Sequence, residues 1–97
     1  MKILIVAATW MEVKFLADEL KFNRERNHNI RHFSYGDNDI DILVSGIGIT
    51  AVTFHLTSTL LNSKYDMVLN TGIAGSFDHD IHIGDVVNVA SEEFGYL

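Results

Sequence analysis

Lys2-Ile3-Leu4-Ile5-Val6-Ala7-Ala8 runs into Thr9-Trp10-Met11-Glu12-Val13, and the change of period between these two stretches decides the fold. Every position after the lysine in the first stretch is apolar, which is the pattern of a strand covered on both faces and so of a parallel sheet interior. From Thr9 to Lys21 the period becomes helical, with Val13, Leu16, Ala17 and Leu20 at i, i+3, i+4 and i+7. A buried strand that feeds a helix opens an α/β plan.

The rest of the chain extends that plan. Phe22 to Asn29 is polar and mixed in charge and reads as a loop, and Gly36-Asp37-Asn38-Asp39 is a turn between Ile30 to Tyr35 and the apolar run Ile40 to Val44, giving a β-hairpin. Ser45-Gly46-Ile47-Gly48 ends that strand, and Ile49, Val52, Leu56 and Leu60 mark a second helix running to about Leu61. Thr50, Thr53, Thr57 and Thr59 are poor helix formers, so packing must hold this helix. Tyr65 to Asn70 reads as a further buried strand, Thr71 to Ser76 as a glycine-punctuated loop, and Asp85 to Ala90 as a last strand. The predicted order is β-α-β-β-α-β-β, with the helix-linked strands parallel.

Composition bounds the function. Ninety-seven residues, 47% of them apolar and 21% charged, make one folded domain and not a disordered chain. With no cysteine there is no disulfide framework, thiolate metal site or cysteine nucleophile, and the expected location is the cytoplasm. No apolar run approaches the ~20 residues that span a bilayer, so neither a signal peptide nor a membrane anchor is expected. The net charge is -6, and residues 37 to 97 hold nine acidic side chains against one lysine, Lys64, which argues against nucleic acid as a partner.

In open α/β sheets ligands bind at the carboxyl ends of strands, so the residues just after each strand carry the chemistry. Thr9-x-x-Glu12 has the spacing of a capping box, in which the glutamate reaches back to the start of its own helix. The same carboxylate, at a helix N-terminus on the active edge of the sheet, could orient and deprotonate a water. Both readings stand. Gly46-x-Gly48-x-x-Ala51 has the form of a dinucleotide fingerprint, but the next strand ends in Asn70 and not in an acid, so close packing of helix on sheet is the better account and no cofactor is expected. Gly72, Ile73, Ala74, Gly75 and Ser76 form a loop on which something planar or anionic could lie. Asp78-His79-Asp80-Ile81-His82 reads as a solvated turn and not as a metal site. His28, His32 and His55 lack an acid or nucleophile at a fixed offset, and Trp10 reads as a core or pocket-wall aromatic.

Taken together, Met1-Lys2-Ile3 through Thr9-x-x-Glu12-Val13, Ser45-Gly46-Ile47-Gly48, Asn70 to Phe77, and Ile83-Gly84-Asp85-Val86-Val87 resemble the opening part of the purine and uridine phosphorylase superfamily. The glutamate heading the first helix is similar to the nucleosidase branch, which includes methylthioadenosine/S-adenosylhomocysteine nucleosidase and futalosine hydrolase. The proline-containing phosphate loop of the phosphorylases is missing, since the chain has no proline. The wording of Gly72 to Phe77 and of Ile83 to Val89 is nearest to futalosine hydrolases of menaquinone biosynthesis.

The resemblance implies a three-layer α/β fold, a mixed but largely parallel sheet flanked by helices, with residues 1–97 forming its truncated N-terminal portion. It implies hydrolysis of the N-glycosidic bond of a purine nucleoside, futalosine giving dehypoxanthine futalosine and hypoxanthine. Glu12 would be the catalytic base that activates water. Ala8, Trp10, Gly46, Gly72, Ile73, Ala74, Gly75 and Ser76 would bind substrate, and the acid and the ribose-gripping glutamate would come from the later part of the fold. Methylthioadenosine/S-adenosylhomocysteine nucleosidase, a nucleoside phosphorylase, and a non-catalytic nucleoside-binding or assembly module are the alternatives. A homodimer is the expected assembly.

Overall fold

The computed structural model describes residues 1–93. Five strands form one sheet in the order β2-β3-β4-β1-β5: β1 Lys2–Ala7, β2 Lys21–Glu25, β3 Ile30–Tyr35, β4 Asn38–Val44 and β5 Met67–Asn70. β1 lies at the junction of two parallel pairs, Ile5 opposite Ile42 on one side and Leu69 on the other. β2, β3 and β4 are joined as antiparallel hairpins. The sheet is therefore mixed, with helices on its two faces: α1 Lys14–Asp18, which follows a 3₁₀ turn Trp10–Glu12, and α2 Ile49–Asn62.

Alternation along β1 explains its uninterrupted apolar run. Ile5 and Ala7 pack with Val13, Ala17, Phe33, Ile40 and Ile42 on the α1 face, while Leu4 and Val6 pack with Ile30, Leu43, Leu56 and Tyr65 on the α2 face. A strand with both faces covered has no polar position to spare. The β3–β4 hairpin pairs Tyr35 with Asn38 across Gly36 and Asp37, with Gly36 at φ +59°, the positive value a two-residue hairpin loop requires.

Several elements depart from the pattern read along the chain. The first helix is broken: after the turn Trp10–Glu12, α1 holds only five residues, and Glu19 and Leu20 donate three residues back, which tightens and ends it. Lys21 to Glu25, expected as helix end and loop, is a strand. Its polarity follows from its place at the sheet edge, where all five residues are exposed, and its pairing with β3 slips between Phe22 and Arg24. β5 begins at Met67, later than Tyr65, and is exposed instead of buried, because β1 is its one strand neighbour. Residues 85–90, expected as a last strand, form none, and Val86, Val87 and Val89 are exposed.

α2 keeps its predicted span and half of its predicted stripe. Val52 and Leu56 turn inward as expected, joined by His55 and Thr59, whereas Ile49 and Leu60 are exposed. Thr59 pays for its buried hydroxyl by donating to the His55 carbonyl at 2.7 Å.

Candidate active site

β1 and β4 end side by side, and their parallel register brings Ala8 and Thr9 next to Ser45 and Gly46. Ser45 donates its N–H to the Ala7 carbonyl at 2.9 Å, and Gly46 donates to the Ala8 carbonyl at 3.0 Å. Beyond β1 the chain turns at once, so that Glu12 folds back toward the strand end. Its Oε2 accepts from the Ala8 N–H at 3.1 Å and the Thr9 N–H at 3.3 Å. That is the capping-box arrangement. The capping reading is thus realised in the geometry, and it occupies one carboxylate oxygen. Oε1 takes no hydrogen bond from the described residues.

β5 ends on the other side of β1. There Thr71 donates its N–H to the Val6 carbonyl at 2.8 Å and its hydroxyl to the same oxygen at 3.3 Å, pinning the start of the loop. Gly72, Ile73, Ala74, Gly75 and Ser76 then run out exposed. Gly72 and Gly75 have open space where a Cβ would stand. The structure therefore gathers Ala8, Glu12 and Gly46 by hydrogen bonds and leads the Gly72–Ser76 loop away from the same edge without closing it on them.

Trp10 turns elsewhere. Its indole carries the Arg31 guanidinium 4.2 Å above it and walls a cavity of about 480 Å³ with Ala17, Leu20, Phe22 and Phe33, between α1 and the β2–β3 hairpin. Glu12 lines neither this cavity nor the one of about 380 Å³ between α2 and the β2–β3 turn. The glycines of the fingerprint-like stretch have structural work in their backbone, since Gly46 and Gly48 lie at φ +87° and +98°, which L side chains rarely adopt; a Cβ on Gly46 would make only an ordinary contact with the Ala51 Cβ at 3.5 Å. Among the described residues no three metal-ligating side chains cluster, the Asp78–His82 stretch included.

A polar cluster that sequence reading missed lies on the α2 face. Asp41, in the middle of β4, is 1% exposed and accepts from Tyr65 Oη at 2.5 Å, from Arg26 Nη1 at 2.5 Å, and pairs with His32 Nδ1 at 2.7 Å. Burial alone would raise its pKa. The hydrogen bonds from Tyr65, His32 and Arg26, with the Arg26 charge, outweigh burial and hold the carboxyl below its ordinary value. Burial and the Asp41 contact push Tyr65 up to about 12. The signal was present in the sequence: Asp41 interrupts Ile40 and Ile42, and counting back through the Gly36-Asp37 turn sets it opposite His32.

A sheet with helices on both faces and a carboxylate at the carboxyl end of its central parallel strand defines an α/β protein, and β1, β4 and β5 finish together at the edge where open α/β sheets generally bind ligands. The chain belongs to the Phosphorylase superfamily, matched over residues 2–92. It is 38% identical over 92 residues to 5'-methylthioadenosine/S-adenosylhomocysteine nucleosidase of Bacillus pumilus, covering 90% of this chain and 39% of the relative. The nucleosidase of Maridesulfovibrio salexigens is 36% identical over 97 residues, covering 95% and 41%.

Solved structures agree. The nucleosidase from S. pneumoniae, with the transition-state inhibitor MT-ImmA, superposes with a TM-score of 0.75 at 26% identity, over 88% of this chain and 38% of that one. The enzyme from Colwellia psychrerythraea, in complex with adenine, gives 0.70 at 30% identity over 88% and 36%. The chain thus spans about two fifths of the length of the relatives it matches. These relatives bear the methylthioadenosine/S-adenosylhomocysteine nucleosidase name, so they favour that branch over the futalosine hydrolase to which the loop wording is nearest. No helix among the described residues is long and apolar enough to cross a membrane.

Proposed function

We propose that this chain carries the water-activating part of a purine nucleosidase that hydrolyses the N-glycosidic bond of methylthioadenosine or S-adenosylhomocysteine. The observation that carries the reading is the Glu12 carboxylate at the carboxyl end of β1, one oxygen held by two amides and the other without a partner among the described residues. A carboxylate oriented by two amides, with its second oxygen unclaimed among the described residues, has the geometry to take a proton from water. The water oxygen then bonds to the anomeric carbon as the bond to the purine nitrogen breaks, through an oxocarbenium-like transition state that inverting glycoside hydrolysis shares. A proton delivered to the departing purine completes the balance, from an acid outside the residues assigned here. Ala8, Gly46 and the loop Gly72, Ile73, Ala74, Gly75 and Ser76 are proposed as the substrate contacts, whereas Trp10, expected among them, walls the cavity between α1 and the β2–β3 hairpin instead. Names of the relatives, and the adenine and inhibitor bound to two of them, support purine nucleoside and water as the reactants.

The test is release of free purine from methylthioadenosine, S-adenosylhomocysteine and futalosine by the full-length protein that carries this portion and by its Glu12→Gln variant. Adenine release from the first two, lowered about 10² to 10⁴-fold in the variant, is the expected result. Turnover unchanged in Glu12→Gln removes Glu12 from the mechanism. Hypoxanthine release from futalosine alone moves the chain to that branch, phosphate-dependent formation of ribose 1-phosphate identifies a phosphorylase, and purine binding without turnover identifies a binding module. A homodimer in the cytoplasm is proposed as the assembly, supported by exposed Ile47, Phe54 and Leu61 and by the absence of cysteine, and sedimentation velocity measures the former.

A further inference from the structure

We propose that Ser45 and Gly46 are positioning residues for Glu12, acting through the two peptide groups that hold its carboxylate. The inference rests on Glu12 being the base. The peptide joining Ala7 to Ala8 is one rigid plane: its carbonyl oxygen accepts the Ser45 N–H at 2.9 Å, and its N–H donates to Glu12 Oε2 at 3.1 Å. The next peptide, Ala8 to Thr9, repeats the arrangement. Its carbonyl accepts the Gly46 N–H at 3.0 Å and its N–H donates to the same Oε2 at 3.3 Å. Two successive donors on the end of β4 thus grip the far side of the two planes that grip the carboxylate.

The coupling has a direction and a physical basis. In a trans peptide the carbonyl and the N–H point opposite ways, so fixing the oxygen fixes the line along which the N–H reaches Glu12. Hydrogen bonds in series also polarise one another, which makes each N–H a stronger donor than a free peptide would be. Ser45 is 3% exposed, which shields the grip from competing water. Its hydroxyl adds a longer contact to the Ala7 carbonyl at 3.4 Å and shares its one proton with the Gly46 carbonyl at 3.1 Å. Gly46 supplies the second N–H from a backbone at φ +87°, which L side chains rarely adopt. Because both relays end on Oε2, they leave Oε1 as the oxygen that faces a reacting water.

Amide hydrogen exchange by NMR on the full chain tests this without turnover, in wild type, Gly46→Ala, Glu12→Ala and the double variant. Alanine strains the positive φ at Gly46 and moves its N–H off the Ala8 carbonyl, so the expected result is exchange about three- to tenfold faster at Thr9, with Leu4 and Ile5 unchanged, the equivalent of about one weakened hydrogen bond. In the Glu12→Ala background the same glycine substitution should then add nothing at Thr9, since the acceptor at the far end is gone. An equal effect in both backgrounds, or a uniform rise along β1, makes Ser45 and Gly46 structural only and overturns the proposal. Should Gly46→Ala not fold, Ser45→Pro, which has no N–H to give the Ala7 carbonyl, should speed exchange at Ala8 in the same Glu12-dependent way. The two readings fail separately: coupled amides beside undiminished turnover of the full-length protein in Glu12→Gln reject Glu12 as the base but keep the relay, and Glu12-dependent purine release with uncoupled amides does the reverse.

Discussion

The Tyr65 hydroxyl donates to Asp41 Oδ2, fastening the segment after α2 to the centre of β4. Arg26 approaches the same oxygen from the β2–β3 turn and His32 the other oxygen from β3, so one carboxylate holds three parts of the chain. Asp41→Asn leaves the arginine without its counter-charge. Since the Arg26 side chain keeps 32% of its surface in water, the expected loss is about 2 to 3 kcal/mol, below the ~3 to 5 of a fully buried pair. Urea denaturation measures it. The carboxyl is held below its ordinary value, so its contribution is present above the unfolded value near 3.9 and is lost as pH falls through the folded one. Wild type should therefore lose stability below about pH 4 more steeply than Asp41→Asn.

The tyrosine end of that contact predicts the opposite limb. Burial first, then the Asp41 hydrogen bond and charge, raise Tyr65 to about 12, while Arg26 and Ser63 pull it back in part. A phenol whose folded pKa exceeds its unfolded value of about 10 contributes stability fully below pH 10, and that contribution disappears between pH 10 and 12. Tyr65→Phe should be less stable than wild type at pH 7, and the difference between the two should close toward pH 12. A gap that stays constant across that range would show that the hydroxyl is not linked to folding.

Those two residues also show what a sequence does and does not disclose. β1, the β3–β4 hairpin and the span of α2 were legible because period, turn residues and apolar runs agreed there. The inward turn of Glu12 was legible as one of two readings, since Thr9-x-x-Glu12 states the spacing but not whether capping takes one oxygen or both. β2 was hidden because an edge strand exposed on both faces shows no alternation. The face of α2 was half legible: Val52 and Leu56 turn inward as read, but Ile49 and Leu60 do not, because the outward side, with Phe54 and Leu61, is as apolar as the inward one. Ser45 and Gly46 were read as an end of strand and a ligand contact. That their amides are spent on Ala7 and Ala8 depends on the register of two strands nearly forty residues apart, which no local pattern encodes.

Glu12 serves the fold as well as the proposed chemistry, and two substitutions separate these roles. Glu12→Ala removes the acceptor of two amides and should cost about 1 kcal/mol, the usual magnitude of a lost helix cap. Glu12→Gln keeps a carbonyl oxygen for the same amides and should stay within about 0.5 kcal/mol of wild type, yet it cannot hold an abstracted proton. Thermal unfolding of the chain and purine release by the full-length protein, measured for both substitutions, should therefore rank them differently. Equal stability of Glu12→Ala and wild type would mean the capping bonds contribute nothing in solution.

Gly72 and Gly75 allow the proposed substrate loop to be tested apart from folding. Neither has a positive φ, and a Cβ built on either meets no atom within 4 Å, so alanine is expected to fit with a stability change inside about 0.5 kcal/mol. Gly48, by contrast, caps α2 at φ +98°, and alanine there should cost about 1 to 2 kcal/mol through the backbone alone. If the loop lies against base and sugar, Gly72→Ala and Gly75→Ala lose purine affinity at unchanged melting temperature, because the added methyl meets ligand and nothing else. Gly48→Ala should do the reverse, lowering the melting temperature while leaving affinity intact below it. Calorimetric titration with adenine beside a melting curve decides between them, and undiminished affinity in both loop variants would take Gly72 and Gly75 out of the contact set.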